Sequence, residues 1–181
     1  TSLGWEGFAS DYPDLRGTFD YVYSISAFEH IYDLKNCLIN IIPFLKKGGC
    51  IYSYFTPIWS DPNGSHGFSP SQLVSMGPHS HLLFDYNELS QMLTSRFNVP
   101  LSEALDLSHN LYRSNQLNRY TYEDFVLIFN SLSSYFTRID YTVLDLSLFS
   151  DLYPSSVVDR IQKYYPTMKH SASGFEVIFS V

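Results

Sequence analysis

Positive charge is scarce in this chain. Lys and Arg together number 11 in 181 residues, against 18 Asp and Glu, and the net charge is −7. No basic run is longer than Lys46-Lys47. Nucleic-acid binding draws on concentrated positive charge that displaces counterions from phosphates, so a nucleic-acid partner is disfavoured. Cysteine is equally rare. Cys37 and Cys50 show no CxxC spacing and make no disulfide framework, which fits a reducing compartment. Long apolar runs are missing too, as is a charged-then-apolar leader, so the expectation is a soluble, cytoplasmic protein with no membrane partner. No GxSxG elbow, P-loop or HExxH is present, and neither is an internal repeat or low-complexity tract. Serine-nucleophile chemistry of the elbow type therefore has little support.

What the chain does have is apolar and aromatic. Hydrophobic residues make up 45%, aromatics 17% and charged residues only 16%, which excludes a disordered chain. The length suits one domain with a sizeable core. With 15 Tyr and 14 Phe, an aromatic core with a tyrosine-rich surface is expected.

Hydrophobic periodicity then divides the chain. Residues 1–18, with Gly4, Gly7, Pro13 and Gly17, read as a connecting segment. Phe19 to Ser26 is a β-branched and aromatic run of strand length, apolar on both faces, as in a strand buried inside a parallel sheet. Asp33 is a plausible N-cap. Leu34, Cys37, Leu38, Ile41, Ile42 and Leu45 form a helical stripe, with Pro43 loosening its last turn, Lys46-Lys47 at its negative end and Gly48-Gly49 stopping it. Cys50 to Phe55 is a second strand, and the strand–helix–strand order makes the two strands parallel. From Ile58 to His81, Gly, Pro, Ser, Asn and His suggest a long irregular loop. Helices are expected at about 86–97 and 121–135, the second opened by Thr121 and Asp124 as a capping box. Arg138 to Val143 and Phe175 to Val181 read as closing strands, with a helix at 154–164 between them.

The stretch from Gly17 to His30, with Phe19-Asp20-Tyr21-Val22-Tyr23-Ser24 and Glu29-His30, resembles the fourth strand of class I S-adenosylmethionine-dependent methyltransferases. Leu45-Lys46-Lys47-Gly48-Gly49 resembles the approach to their fifth strand, and the ordered pieces span about 35 residues. The resemblance implies an α/β fold: a partial Rossmann-like methyltransferase sheet made of the later strands, with the last one antiparallel, and a helical and loop insertion. It implies one incomplete domain over 1–181, with 1–56 and 137–181 as sheet core and 57–136 as the substrate-recognition insertion.

The same resemblance implies S-adenosylmethionine as cofactor, although neither the family's glycine-rich loop nor its ribose-holding acidic residue can be placed before Phe19. Gly4-Trp5-Glu6-Gly7 has no strand before it and no helix after it, as such a loop requires. The missing strands are expected from another chain or an upstream segment, and the Phe19–Ser26 edge would otherwise stand open. Ligands of doubly wound sheets lie at the carboxyl ends of the strands. By resemblance Ser24, Ile25, Ser26 and His30 border the cofactor there. The loop after the second strand arches over the same end, making His66 and His81 candidate general bases and Trp59 and His79 candidate contacts to a small organic acceptor. His79 and His81 with His66 or Asp61 could form a metal site, but the spacing fits polar loop packing better, and no metal is expected. A non-catalytic methyltransferase-like subunit is the rival reading.

Overall fold

The computed structural model describes residues 12–181, so the Gly4–Gly7 segment lies outside the described residues. Four strands form the main sheet: β1 (Phe19–Ile25), β2 (Leu45–Phe55), β3 (Arg138–Leu144) and β6 (Gly174–Ser180). Their order is β1-β2-β6-β3. β1 and β2 are parallel neighbours, with Val22 opposite Ile51 and Ser24 opposite Ser53. β6 runs antiparallel to both β2 and β3, so the other three strands share one direction. This is the partial sheet implied by the resemblance, with the last strand reversed. A two-stranded ladder of β4 (Ser147–Leu148) and β5 (His170–Ser171) sits beside it.

Between β1 and β2, helix α1 (Leu34–Ile41) starts at Asp33, whose carboxylate accepts the Asn36 backbone N–H. Pro43 ends the α-helical hydrogen bonding, and Ile42–Phe44 continues as a 3-10 turn. The expectation that Lys46 to Gly49 would finish this helix is corrected: β2 already begins at Leu45 and includes them. Pairing shifts from Phe19–Leu45 to Tyr21–Cys50, and Gly48, at φ +82°, carries the backbone through the irregularity. Lys46 is held by Asp20 at 2.7 Å, so its charge serves the strand pair and not a helix end.

The long connection from β2 to β3 is more helical than its composition suggests. It contains α2 (Ser71–Val74), α3 (Tyr86–Phe97), α4 (Leu101–Tyr112) and α5 (Tyr122–Ser131). α3 has the expected limits. α4 was not expected, although its buried Ala104, Ser108 and Leu111 fall at helical spacing behind Pro100. α5 carries both halves of the Thr121–Asp124 capping box and ends earlier than its stripe suggested. α6 (Phe149–Leu152) and α7 (Ser155–Tyr164) follow β4, with Pro154 at the N-cap of α7.

Two apolar clusters hold these elements. The first lies on one face of the sheet, where Leu34 and Leu38 of α1 and Phe125 and Phe129 of α5 pack on Ile51, Phe55, Phe175, Val177 and Phe179. Phe125 and Phe129 thus belong with the sheet, although they lie within the 57–136 stretch. The second cluster joins Trp59, Leu73, Leu82, Leu89, Leu93 and Leu111 to Phe149, Ile161 and Met168.

The other face of the sheet is bare among the described residues. Tyr21 is 75%, Tyr23 79% and Ile25 55% exposed. Register and side-chain alternation put Tyr52, Tyr54 and Ile178 on the same face. The expectation that β1 is buried on both sides is therefore corrected. Its apolar pattern is genuine, but α1 and α5 both pack on the opposite face, and β2 is its one partner strand among the described residues.

Candidate functional site

The carboxyl ends of β1 and β2 meet at a tightly held turn. Ser26 takes the left-handed conformation (φ 47°) while its N–H donates to the Tyr54 carbonyl at 2.8 Å. A 3-10 turn, Phe28–His30, follows. Asn118 grips it from the α4–α5 connection. Its side-chain amide donates to the carbonyls of Phe28 (2.7 Å) and Ile31 (3.0 Å), and its backbone N–H donates to the Glu29 carbonyl. Nothing in the local pattern of residues marks Asn118. It was missed because its partners lie nearly ninety positions away.

This turn separates the Glu29-His30 pair. Glu29 is buried, and its Oε2 has no hydrogen-bond partner. Burial raises its pKa, opposed by its own backbone hydrogen bond and the charge of His30. His30 is exposed, with Nδ1–H donating to the Gln116 carbonyl. Its ring meets that of His66 edge-on at 5.2 Å. His66 in turn donates through Nε2–H to the Pro57 carbonyl, immediately after β2. Each ring spends one nitrogen on a carbonyl, which leaves the other as a lone-pair acceptor while the ring is neutral. Burial lowers the His66 pKa, so the neutral form prevails near pH 7.

The other candidates lie deeper. His81 is wholly buried and donates through Nε2–H to the Trp59 carbonyl at 2.9 Å. Burial lowers its pKa to about 4, against the effect of that bond. Its ring packs edge-on against the Trp59 indole, and the Tyr112 hydroxyl donates to the His81 carbonyl. Trp59 is itself buried, among His81, Tyr112 and Tyr165. His79 adopts a left-handed backbone (φ 59°) and has a hydroxyl 2.8 Å from each ring nitrogen, Tyr153 at Nδ1 and Ser171 at Nε2. Burial lowers its pKa as well, partly offset by Asp61. The structure therefore brings His30 and His66 together beyond β1, ties Trp59 to His81, and sets His79 against the segment before β6. No group of three or more His, Cys, Asp or Glu side chains could hold a metal among the described residues. Cys37 and Cys50 are both free, and no described helix is long and apolar enough to cross a membrane.

The strand order and the reversed last strand define a mixed α/β sheet of the partial Rossmann-like kind. No family model matches the chain, and no curated protein does. Solved structures similar to it include the Haemonchus contortus phosphoethanolamine N-methyltransferase 2, in complex with phosphomonomethylethanolamine and S-adenosylhomocysteine. The likeness has a TM-score of 0.40 at 13% identity and covers 92% of this chain and 34% of that one. The chain thus spans about a third of that enzyme's length. A candidate methyltransferase from Bacillus halodurans is similar at TM-score 0.36 and 11% identity, over 96% of this chain and 74% of the other. The YcgJ protein of Bacillus subtilis is similar at TM-score 0.36 and 8% identity, over 96% and 68%. Likenesses of this strength define no activity.

Proposed function

We propose that the chain is the C-terminal portion of an S-adenosylmethionine-dependent methyltransferase acting on a small organic acceptor. The observation that carries this reading is the sheet: β1 and β2 parallel, a reversed β6 beside β2, and paired histidines at the carboxyl end. Ser26 and His30 are exposed there, so with Ser24 and Ile25 they fit one border of such a cofactor. When bound, the cofactor supplies an electrophilic methyl group.

The chain's own residues would align the acceptor and take its proton. His66 has the free ring nitrogen and partial exposure for that role. His81, sealed and neutral, would act from the wall of the small cavity it shares with Pro62, Ser65 and Pro78. Trp59 and His79 would shape the acceptor side. We further propose that an upstream segment or another chain supplies the earlier strands, pairing with β1 and covering Tyr21, Tyr23 and Ile25. That same bare face favours the rival reading, a methyltransferase-like subunit that docks without catalysing.

Calorimetric titration with S-adenosylhomocysteine tests the proposal. The chain alone is expected to give no binding heat, and the polypeptide extended by its upstream reading frame is expected to bind one equivalent. Binding by the chain alone would overturn the division of the cofactor site. Silence from the extended polypeptide would favour the docking subunit.

A further inference from the structure

A second feature of the ligand end has its own chemistry. Beyond β3 the chain turns at Asp145, in the left-handed region (φ 50°), and its carboxylate accepts the Ser173 hydroxyl at 3.0 Å. Ser173 lies just before β6, where its carbonyl accepts the Ile58 N–H and the Thr56 hydroxyl beyond the end of β2. A cavity of about 360 Å³ opens here, at the carboxyl ends of β2 and β3. His79 and Ser171 form its buried wall, and Tyr153, Ser147 and Asp145 lie around it.

The lining has one formal charge, the Asp145 carboxylate, which is exposed to solvent where it faces the cavity, and no lysine or arginine. His79 adds no positive charge, because burial keeps its ring neutral near pH 7. The serine hydroxyls that donate to Asp145 or face His79 still have lone pairs to offer. Pro62, Pro78 and Leu152 make much of the wall apolar, and its few polar groups include no cationic donor. A carboxylate or phosphate ligand would meet Asp145 with no counter-charge, whereas an ammonium brings three donors and a matching charge.

We propose that this cavity is the acceptor subsite of the transfer reaction and takes a small hydroxylated organic cation, an amino alcohol being the simplest member, with Asp145 as its counter-charge. The word acceptor rests on the methyltransferase reading, while the charge preference rests on the cavity alone.

Three probes of similar size separate the terms: aminopropanol, hydroxypropionate and propanediol. In amide NMR titrations of the chain, aminopropanol should shift the Asp145, Ser147 and Ser171 resonances. It should bind about tenfold more tightly than hydroxypropionate. Asp145→Asn should erase that preference and leave propanediol unchanged, since Asn tolerates the left-handed backbone and keeps an acceptor for Ser173. Equal binding of hydroxypropionate, a preference that survives Asp145→Asn, or no response at these amides with any probe would overturn the assignment. The titrations need no cofactor, so their failure is separate from failure of the extended polypeptide to bind S-adenosylhomocysteine.

Discussion

Histidine 81 shows how burial sets chemistry at a single residue. Its pKa falls from about 6.5 to about 4, so an unfolded chain binds a proton that the folded chain refuses between those values. Stability is therefore full above pH 6.5 and declines as the pH drops toward 4. Between pH 7.5 and pH 5 this one ring should remove about 2 kcal/mol. His66 and His79, also lowered, act in the same sense, whereas the raised Glu29 acts in the opposite one. Comparing urea unfolding of the wild type and His81→Gln at the two pH values isolates the ring. Equal acid sensitivity would show that His81 is not sealed. Asn118 matters as much, through geometry instead of charge. Asn118→Ala removes two donors to the 28–31 turn and one acceptor for the Tyr120 N–H. It should cost about 2–4 kcal/mol and speed amide exchange at His30.

Among the elements, β6 depends on one close approach. A Cβ on Gly174 would lie 2.1 Å from the Phe55 carbonyl oxygen. That oxygen belongs to the backbone of the central strand and cannot swing aside like a side chain. Gly174→Ala should therefore cost more than about 3 kcal/mol or displace the start of β6, read as a lowered urea midpoint and lost protection at Val177. Most of these elements were legible from pattern. The limits of β1, α3 and α7, the Asp33 cap and the Thr121 box all follow from local spacing, because periodicity and capping involve neighbours within a few residues. The Lys46–Gly49 segment was misread for the same reason. Its basic and glycine residues suit a helix end, and only pairing with Asp20 and β1 draws it into a strand.

At the scale of the molecule the unfinished part is the tyrosine face. β1 presents Tyr21, Tyr23 and Ile25 along an edge with one strand partner among the described residues. Such an edge invites pairing with another chain. The purified chain should self-associate, and Tyr23→Lys should lower its apparent mass in light scattering without changing its helical circular dichroism. An unchanged mass would mean that this face is not what associates. The candidate site was legible only in part. Ser24 to His30 were placed by the strand that carries them, and the His66 loop by its position after β2. The partnership of His30 with His66, the burial of Trp59 and His81, and the link from His79 to Ser171 all join residues far apart in the chain.

The amino-acid sequence alone determined that two parallel strands flank a short helix, that two of the helices of the long connection lie at 86–97 and from Thr121 onward, and that the chain ends in a strand. Those outcomes depend on hydrophobic period and turn chemistry, which act over a few residues. Tertiary structure decided which face of the sheet is covered, which histidines are sealed and which reach solvent, and where a lone carboxylate meets a cavity. Burial and long-range hydrogen bonds set these, and both exist only once distant segments have packed.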